Sequence, residues 1–164
     1  MKTPALRSAR DRLLGAVRTI ESARRAGEPQ YVTDGIYRDG QFFRFACADL
    51  NERYQRRRIE LVVAYDSSAI PLASPLAYFT GCGLGVLQPS GRGPILDLAS
   101  IPAGCRILMV ADVLDRGTQL ASGAALLRQS KGELVEIVTL LEIAASNGSK
   151  HLAPLPTYSV CTLR

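Results

Sequence analysis

Residues 106–119 read RILMVADVLDRGTQ. An apolar run closes on an acid, Asp112, and a short turn containing Gly117 follows. The next residues, LASGAALLRQSKGE, have helical spacing. Strand, acid, tight turn and helix start is an arrangement suited to a phosphate. The first turn of a helix presents backbone N–H groups and the positive end of its dipole, and glycine lets that backbone approach the oxygens. Asp115 and Arg116 precede the glycine, and Thr118 and Gln119 follow it. A second candidate loop, Asp66, Ser67, Ser68 and Ala69, comes directly after the apolar run IELVVAY. Other chemistry is sparse. The single histidine, His151, gives little to a Ser/His/Asp triad or a multi-histidine metal centre. Cys47, Cys82, Cys105 and Cys161 are widely spaced with no CxxC pair, so they are expected to be reduced and to bind no metal.

These loops need a scaffold, and the hydrophobic pattern supplies one. Short, β-branched apolar runs mark buried parallel strands at 59–65, 84–88, 105–112 and 133–143. Helical segments fall between them, IPLASPLAYFTG and residues 118–130, with Pro71 acceptable in a first turn and Pro75 a source of a kink. PSGRGP (89–94) and AASNGSKH read as loops, ILDLASIPAG as a weakly structured connection, and LAPLPTYSV as a short last strand at an edge. The order predicts an α/β fold: one domain with a mainly parallel sheet flanked by helices. Ahead of it, Leu6, Leu13, Leu14, Val17 and Ile20 predict an amphipathic helix over residues 5–26. An extended segment, YVTDGIY, follows. A second helix is predicted over 41–57, with Phe42, Phe45, Ala46, Leu50 and Tyr54 on one side and Asp49 four residues from Arg53, near enough to pair. The expected layout is a single domain over 1–164: N-terminal helix 1–28, hood-like segment 30–58, core 59–143 and edge segment 144–164.

The 164 residues suffice for one sizeable core, and 47% apolar with 21% charged residues is an ordinary globular composition. No apolar run reaches the roughly 20 residues that span a bilayer, and the N-terminus lacks the continuous apolar core of a secretory signal. A cytoplasmic protein is expected. The formal charge of +5 favours anionic partners, whether phosphorylated metabolites or RNA. Arginines cluster in the first 25 residues and in NERYQRRR, but no aromatic residues interleave with them as a stacking platform would require.

The motif around Asp112 resembles the signature of the type I phosphoribosyltransferases: an apolar strand, two acids, two apolar residues, then a Thr/Gly-rich loop. ILMVADVLDRGTQ keeps the strand, the second acid, the apolar pair Val113–Leu114 and Gly117. IELVVAYDSSAIPLASPLAYFTGCGLGVL is similar to the strand, pyrophosphate loop and helix of adenine- and orotate-type enzymes, and VTDGIYRDGQFFRFACADLNERY to the segment preceding that strand. The resemblance spans roughly residues 30 to 143. It implies that phosphoribosyl pyrophosphate or a nucleotide binds with magnesium and with no resident metal. It implies that Asp112 holds the ribose, that Asp115–Gln119 form the 5′-phosphate loop, and that Asp66–Ala69 form the pyrophosphate loop. It also implies a homodimer. Tyr37 or Phe42 is a candidate to stack on a base.

Several positions depart from the family pattern. Ala111 replaces the first acid, Asp115 and Arg116 stand where small neutral residues are usual, and Gln119 replaces a hydroxyl residue. Gln88–Pro89 lacks the usual Arg–Lys pair, and Arg92 is the only cation in the short loop that follows. Two functions fit. One is transfer of phosphoribose to a base or an unusual acceptor. The other is a non-catalytic module that keeps the fold and acts on RNA or a protein. A carboxylate at 115 near a phosphate is expected to weaken binding and to leave turnover of adenine or orotate weak or absent.

Overall fold

The computed structural model of the chain describes residues 18–20, 30–90 and 95–163. The chain falls into two compact units, Met1–Ala46 and Cys47–Arg164. In the first, β1 (Arg18–Ile20) pairs antiparallel with β2 (Gln30–Val32), Arg18 opposite Val32. The helix expected over 5–26 therefore excludes 18–20. Its β-branched Thr19 and Ile20 are good strand formers once a partner strand is supplied, and the other residues of that expected helix lie outside the described ones. The expected extended segment is confined to β2, because α1 (Asp34–Arg38) begins almost at once. α2 (Gly40–Tyr54) opens on Asp39, whose carboxylate accepts from the N–H groups of Gln41 at 3.0 Å and Phe42 at 3.1 Å. That side chain satisfies two of the donors a helix start leaves unpaired. Phe42, Ala46, Leu50 and Tyr54 are buried as their spacing predicts, whereas Phe45 is only partly covered.

The second unit is built on a five-stranded sheet: β3 (Leu61–Tyr65), β4 (Gly83–Leu87), β5 (Arg106–Leu114), β6 (Glu133–Ile143) and β7 (Thr157–Leu163), in the order β4-β3-β5-β6-β7. Every strand pair in it is parallel. α3 (Ile70–Thr80) connects β3 to β4, and α4 (Thr118–Leu127) connects β5 to β6. On one face Val63, Ile107, Met109, Ala111 and Ile137 pack into a core with Leu120, Ala124 and Leu127 of α4. The four cysteines are free thiols.

Four local readings change. β5 runs past Asp112 to Leu114 instead of ending at the acid. AASNGSKH is a turn followed by a short helix, α5 (Gly148–Leu152), not a loop. α4 stops at Leu127. The last strand begins only after Pro154 and Pro156, which cannot donate to a ladder. Gln88 and Ile95 exchange both backbone hydrogen bonds, at 3.0 and 2.7 Å.

In the amino half of β6 the carboxylate of Glu136 is buried, with its side chain 4% exposed. Arg53 Nη2 lies 2.7 Å from one oxygen, and Arg57 Nη1 and the Tyr54 hydroxyl lie 2.9 and 2.7 Å from the other. The Arg53 guanidinium also stacks on Tyr158 at 4.0 Å from the ring centre, and the Tyr158 hydroxyl donates to Asp49. The expected Asp49–Arg53 pairing is replaced by these longer-range partners. A buried carboxylate needs a charge partner more than a surface acid does. Two of the arginines in NERYQRRR are thus committed to structure, and Arg56 and Arg58 remain exposed.

Candidate functional site

The strand order reverses at β3. Its crossover through α3 leads outward to β4, and the chain then returns to place β5 on the other side of β3. In an open parallel sheet such a reversal leaves a crevice beyond the carboxyl ends of the two strands, here β3 and β5. Both candidate loops open there. The register pairs Ala64 with Val110, and two residues further along each strand stand Asp66 and Asp112. The sequence-predicted sites are therefore brought to one sheet edge on neighbouring strands.

Asp66 leaves β3 with φ 70° and ψ 163°, a backbone region that is costly for a residue with a Cβ, at about 1–3 kcal/mol. Its carboxylate accepts from the Ser67 N–H and, at 3.0 Å, from the Ser67 hydroxyl, which holds the turn in that shape. A 3-10 turn, Ser67–Ala69, then runs into α3 with Pro71 in its first turn. Ser67 and Ser68 are exposed and Ala69 is buried. The phenol of Tyr65 is pushed up by burial and secondarily by the neighbouring Asp66.

On β5, Ala111 is 2% exposed and belongs to the core against α4, while Asp112 is partly covered. Beyond Leu114 the chain turns through Asp115 and Arg116 to Gly117, whose φ of +80° favours glycine. Gly117 stands at the N-cap of α4 and supplies no side-chain cap hydrogen bond. Arg116, Thr118 and Gln119 are exposed around it, and Asp115 is partly covered.

His151 is exposed in the last turn of α5. Phe42 is 2% exposed, a core residue with no stacking face to offer, and Tyr37 packs edge-on against Phe43. Among the described residues no group of three or more His, Cys, Asp or Glu side chains gathers to hold a metal, and no helix is long and apolar enough to cross a membrane. Sequence reading missed the contact of α5 with the turn before α4. Gly148 touches the backbone of Asp115 so closely that a Cβ there would lie 1.9 Å from its carbonyl oxygen. The Asn147–Gly148 pair was the available signal, since Asn147 adopts φ 55°.

No family model matches the sequence. It is 29% identical over 175 residues to an adenine phosphoribosyltransferase of Methylacidiphilum infernorum, which covers 96% of this chain and 98% of that protein. The structure is similar to that of adenine phosphoribosyltransferase from Rhodothermus marinus, with a TM-score of 0.83 at 23% identity over 96% of this chain and 99% of the other. It is similar also to the Saccharomyces cerevisiae adenine phosphoribosyltransferase complexed with an imino-altritol bisphosphate and adenine, with a TM-score of 0.74 at 20% identity, covering 93% and 98% of the two chains. The parallel sheet flanked by helices is the fold of these adenine phosphoribosyltransferases. The sequence likeness runs to the adenine phosphoribosyltransferases.

Proposed function

We propose that this protein binds phosphoribosyl pyrophosphate and transfers its phosphoribosyl group to a purine base of the adenine type. The observation that carries the reading is the pair of loops, Asp66–Ala69 and Asp115–Gln119, at the carboxyl ends of adjacent strands on either side of the strand-order reversal. The relatives' activity and the yeast protein's bound bisphosphate and adenine support the same chemistry.

In this reading the first turn of α4 receives the 5′-phosphate on its backbone N–H groups. The carboxylate of Asp112 orients the ribose hydroxyls. The Asp66–Ala69 turn receives the pyrophosphate on backbone N–H groups and the hydroxyls of Ser67 and Ser68. The bond from the anomeric carbon to the pyrophosphate oxygen breaks, and a bond to a ring nitrogen of the base forms on the opposite face. The base gives up a proton and pyrophosphate leaves. Most of the rate comes from holding the two reactants in line and stabilising charge at the leaving group.

Magnesium would supply charge neutralisation to the pyrophosphate. The single partly covered carboxylate of Asp112 fits an ion that arrives on substrate oxygens, since magnesium commonly takes one or two carboxylates plus phosphates. Asp115 slows the reaction by placing a negative charge beside the phosphate. At 4 to 6 Å such a charge opposes binding by on the order of 1–4 kcal/mol, and Arg116 offsets part of that. Exposed Tyr78 and Phe79 at the end of α3 and Leu84 at the start of the edge strand β4 support pairing with a second copy. The deciding experiment is titration with magnesium and phosphoribosyl pyrophosphate, followed by an assay for pyrophosphate and nucleotide release with adenine. Binding with slow turnover supports the proposal. Binding with no turnover of any base would favour the non-catalytic module, to which the altered residues Ala111 and Asp115 point.

A further inference from the structure

The contact between α5 and the phosphate loop is backbone on backbone from both sides. An added Cβ at Gly148 would meet the Asp115 carbonyl oxygen at 1.9 Å and Leu114 Cδ1 at 2.7 Å. An added Cβ at Gly117 would meet the Gly148 carbonyl oxygen at 2.9 Å and Leu152 Cγ at 3.3 Å. Gly148 and Gly117 are both buried, whereas Arg116, Thr118 and Gln119 between and beyond them face outward. Leu114, at the end of β5, and Leu152, at the end of α5, are buried in the same core and fix the two elements beneath the contact. The loop thus has its outer side turned to the crevice and its inner side seated on the start of α5.

We infer that Gly148 is a positioning residue for the 5′-phosphate loop, and that α5 is the seat that sets where the first N–H groups of α4 point. The inference rests on the functional reading above and deepens it. A methyl group at 148 has to move the Asp115 carbonyl, or α5 itself, by about 1 Å to reach even a tight contact distance. The carbonyl sits only two residues before Gly117, so the displacement is delivered directly to the helix start. Misplacing a binding group by about 1 Å can cost up to about a hundredfold. The residue would touch no substrate, and its effect would pass through the loop.

The experiment compares Gly148→Ala with Gly132→Ala. Gly132 is also closely packed, with an added Cβ 2.6 Å from Ile107 Cδ1 and 3.0 Å from the Cys105 carbonyl oxygen, but it lies at the amino ends of the strands, away from the crevice. Each protein is titrated calorimetrically with magnesium–phosphoribosyl pyrophosphate and with adenosine monophosphate. Thermal midpoints and hydrogen exchange of the amides of residues 115–121 are recorded alongside. The expected result is binding of both ligands weakened about tenfold or more in Gly148→Ala with faster exchange in the loop, and unchanged affinity in Gly132→Ala despite a lowered midpoint. Leu152→Ala, which removes the side chain beneath Gly117 without a clash, is expected to weaken binding in the same direction, and it decides the matter if Gly148→Ala does not fold. Unchanged affinity in a folded Gly148→Ala, or equal weakening in Gly132→Ala, overturns the inference alone. If the unmodified protein binds neither ligand, the functional reading fails and the inference falls with it.

Discussion

In the amino half of β6 the carboxylate of Glu136 is bound by Arg53, Tyr54 and Arg57, and Tyr158 and Asp49 close the network around Arg53. At the carboxyl ends of β3 and β5 the same sheet carries a strained Asp66, a helix start with no side-chain cap and a run of exposed polar residues. Buried polar groups at the first edge are satisfied within the chain, which favours one rigid arrangement. The second edge instead carries exposed polar residues and a strained backbone, and strain persists only where the surrounding structure holds it. The difference teaches where to look for each kind of effect: stability at one edge and affinity at the other.

Mutations can break that division. The largest expected effect is from Glu136→Ala. It removes the acceptor of three side chains and should lower unfolding stability by about 3 kcal/mol, the low end for a broken buried pair because Arg53 and Arg57 are partly exposed and can regain water. Denaturant midpoints measure it, and affinity for phosphoribosyl pyrophosphate should be unchanged. If affinity falls with stability, the two edges are not separate.

Asp112→Asn tests the opposite edge. Turnover should fall about a hundredfold, or roughly 2.7 kcal/mol, with the thermal midpoint within a degree or two of the parent. Steady-state rates with adenine read the first quantity and a melting curve the second. Asp115→Thr should tighten phosphoribosyl pyrophosphate binding about tenfold, and Arg116→Ala should weaken it by a smaller factor. Both differences should shrink as salt rises. Equal affinity of Asp115→Thr and the parent at low salt would remove the repulsion argument.

The smallest effect concerns alkaline pH. Burial and the Glu136 hydrogen bond raise the Tyr54 phenol, and burial and Asp49 raise that of Tyr158. In the unfolded chain both phenols lose protons near pH 10, while the folded protein retains them. The folded state then binds more protons, so stability is full below about pH 10 and declines as pH rises beyond it. Tyr54→Phe should flatten that decline in denaturation curves taken between pH 9 and 11, and an unaltered slope would show that other groups cause it.

How much of this was legible in the sequence varies by element. β3 and β6 were readable because a parallel strand covered on both faces is one apolar run. β5 was read short because an acid looks like a stop, yet at the rim of a crevice a partly covered aspartate stays in the strand. The two loops were found because acid, small residues and helix start are local signals. α5 has too few residues to show a period. The ribbon of β1 and β2 depends on a partner that local spacing cannot reveal. Glu136 lies 83 and 79 positions from its arginines, so nothing in NERYQRRR announces that two of its charges are already spent.

The last strand has a consequence for how the molecule is made. Among the described residues β7 is the one neighbour of β6 on that side, and it pairs with residues 137–143, a largely apolar stretch. During synthesis, β6 emerges well before residues 157–163 do. Until they dock, the backbone donors and acceptors of β6 form an open rim of the kind that recruits other chains. A ribosome that stalls in this interval would release a species far more prone to aggregate than the finished protein, and chaperones would find their binding site there rather than at the crevice.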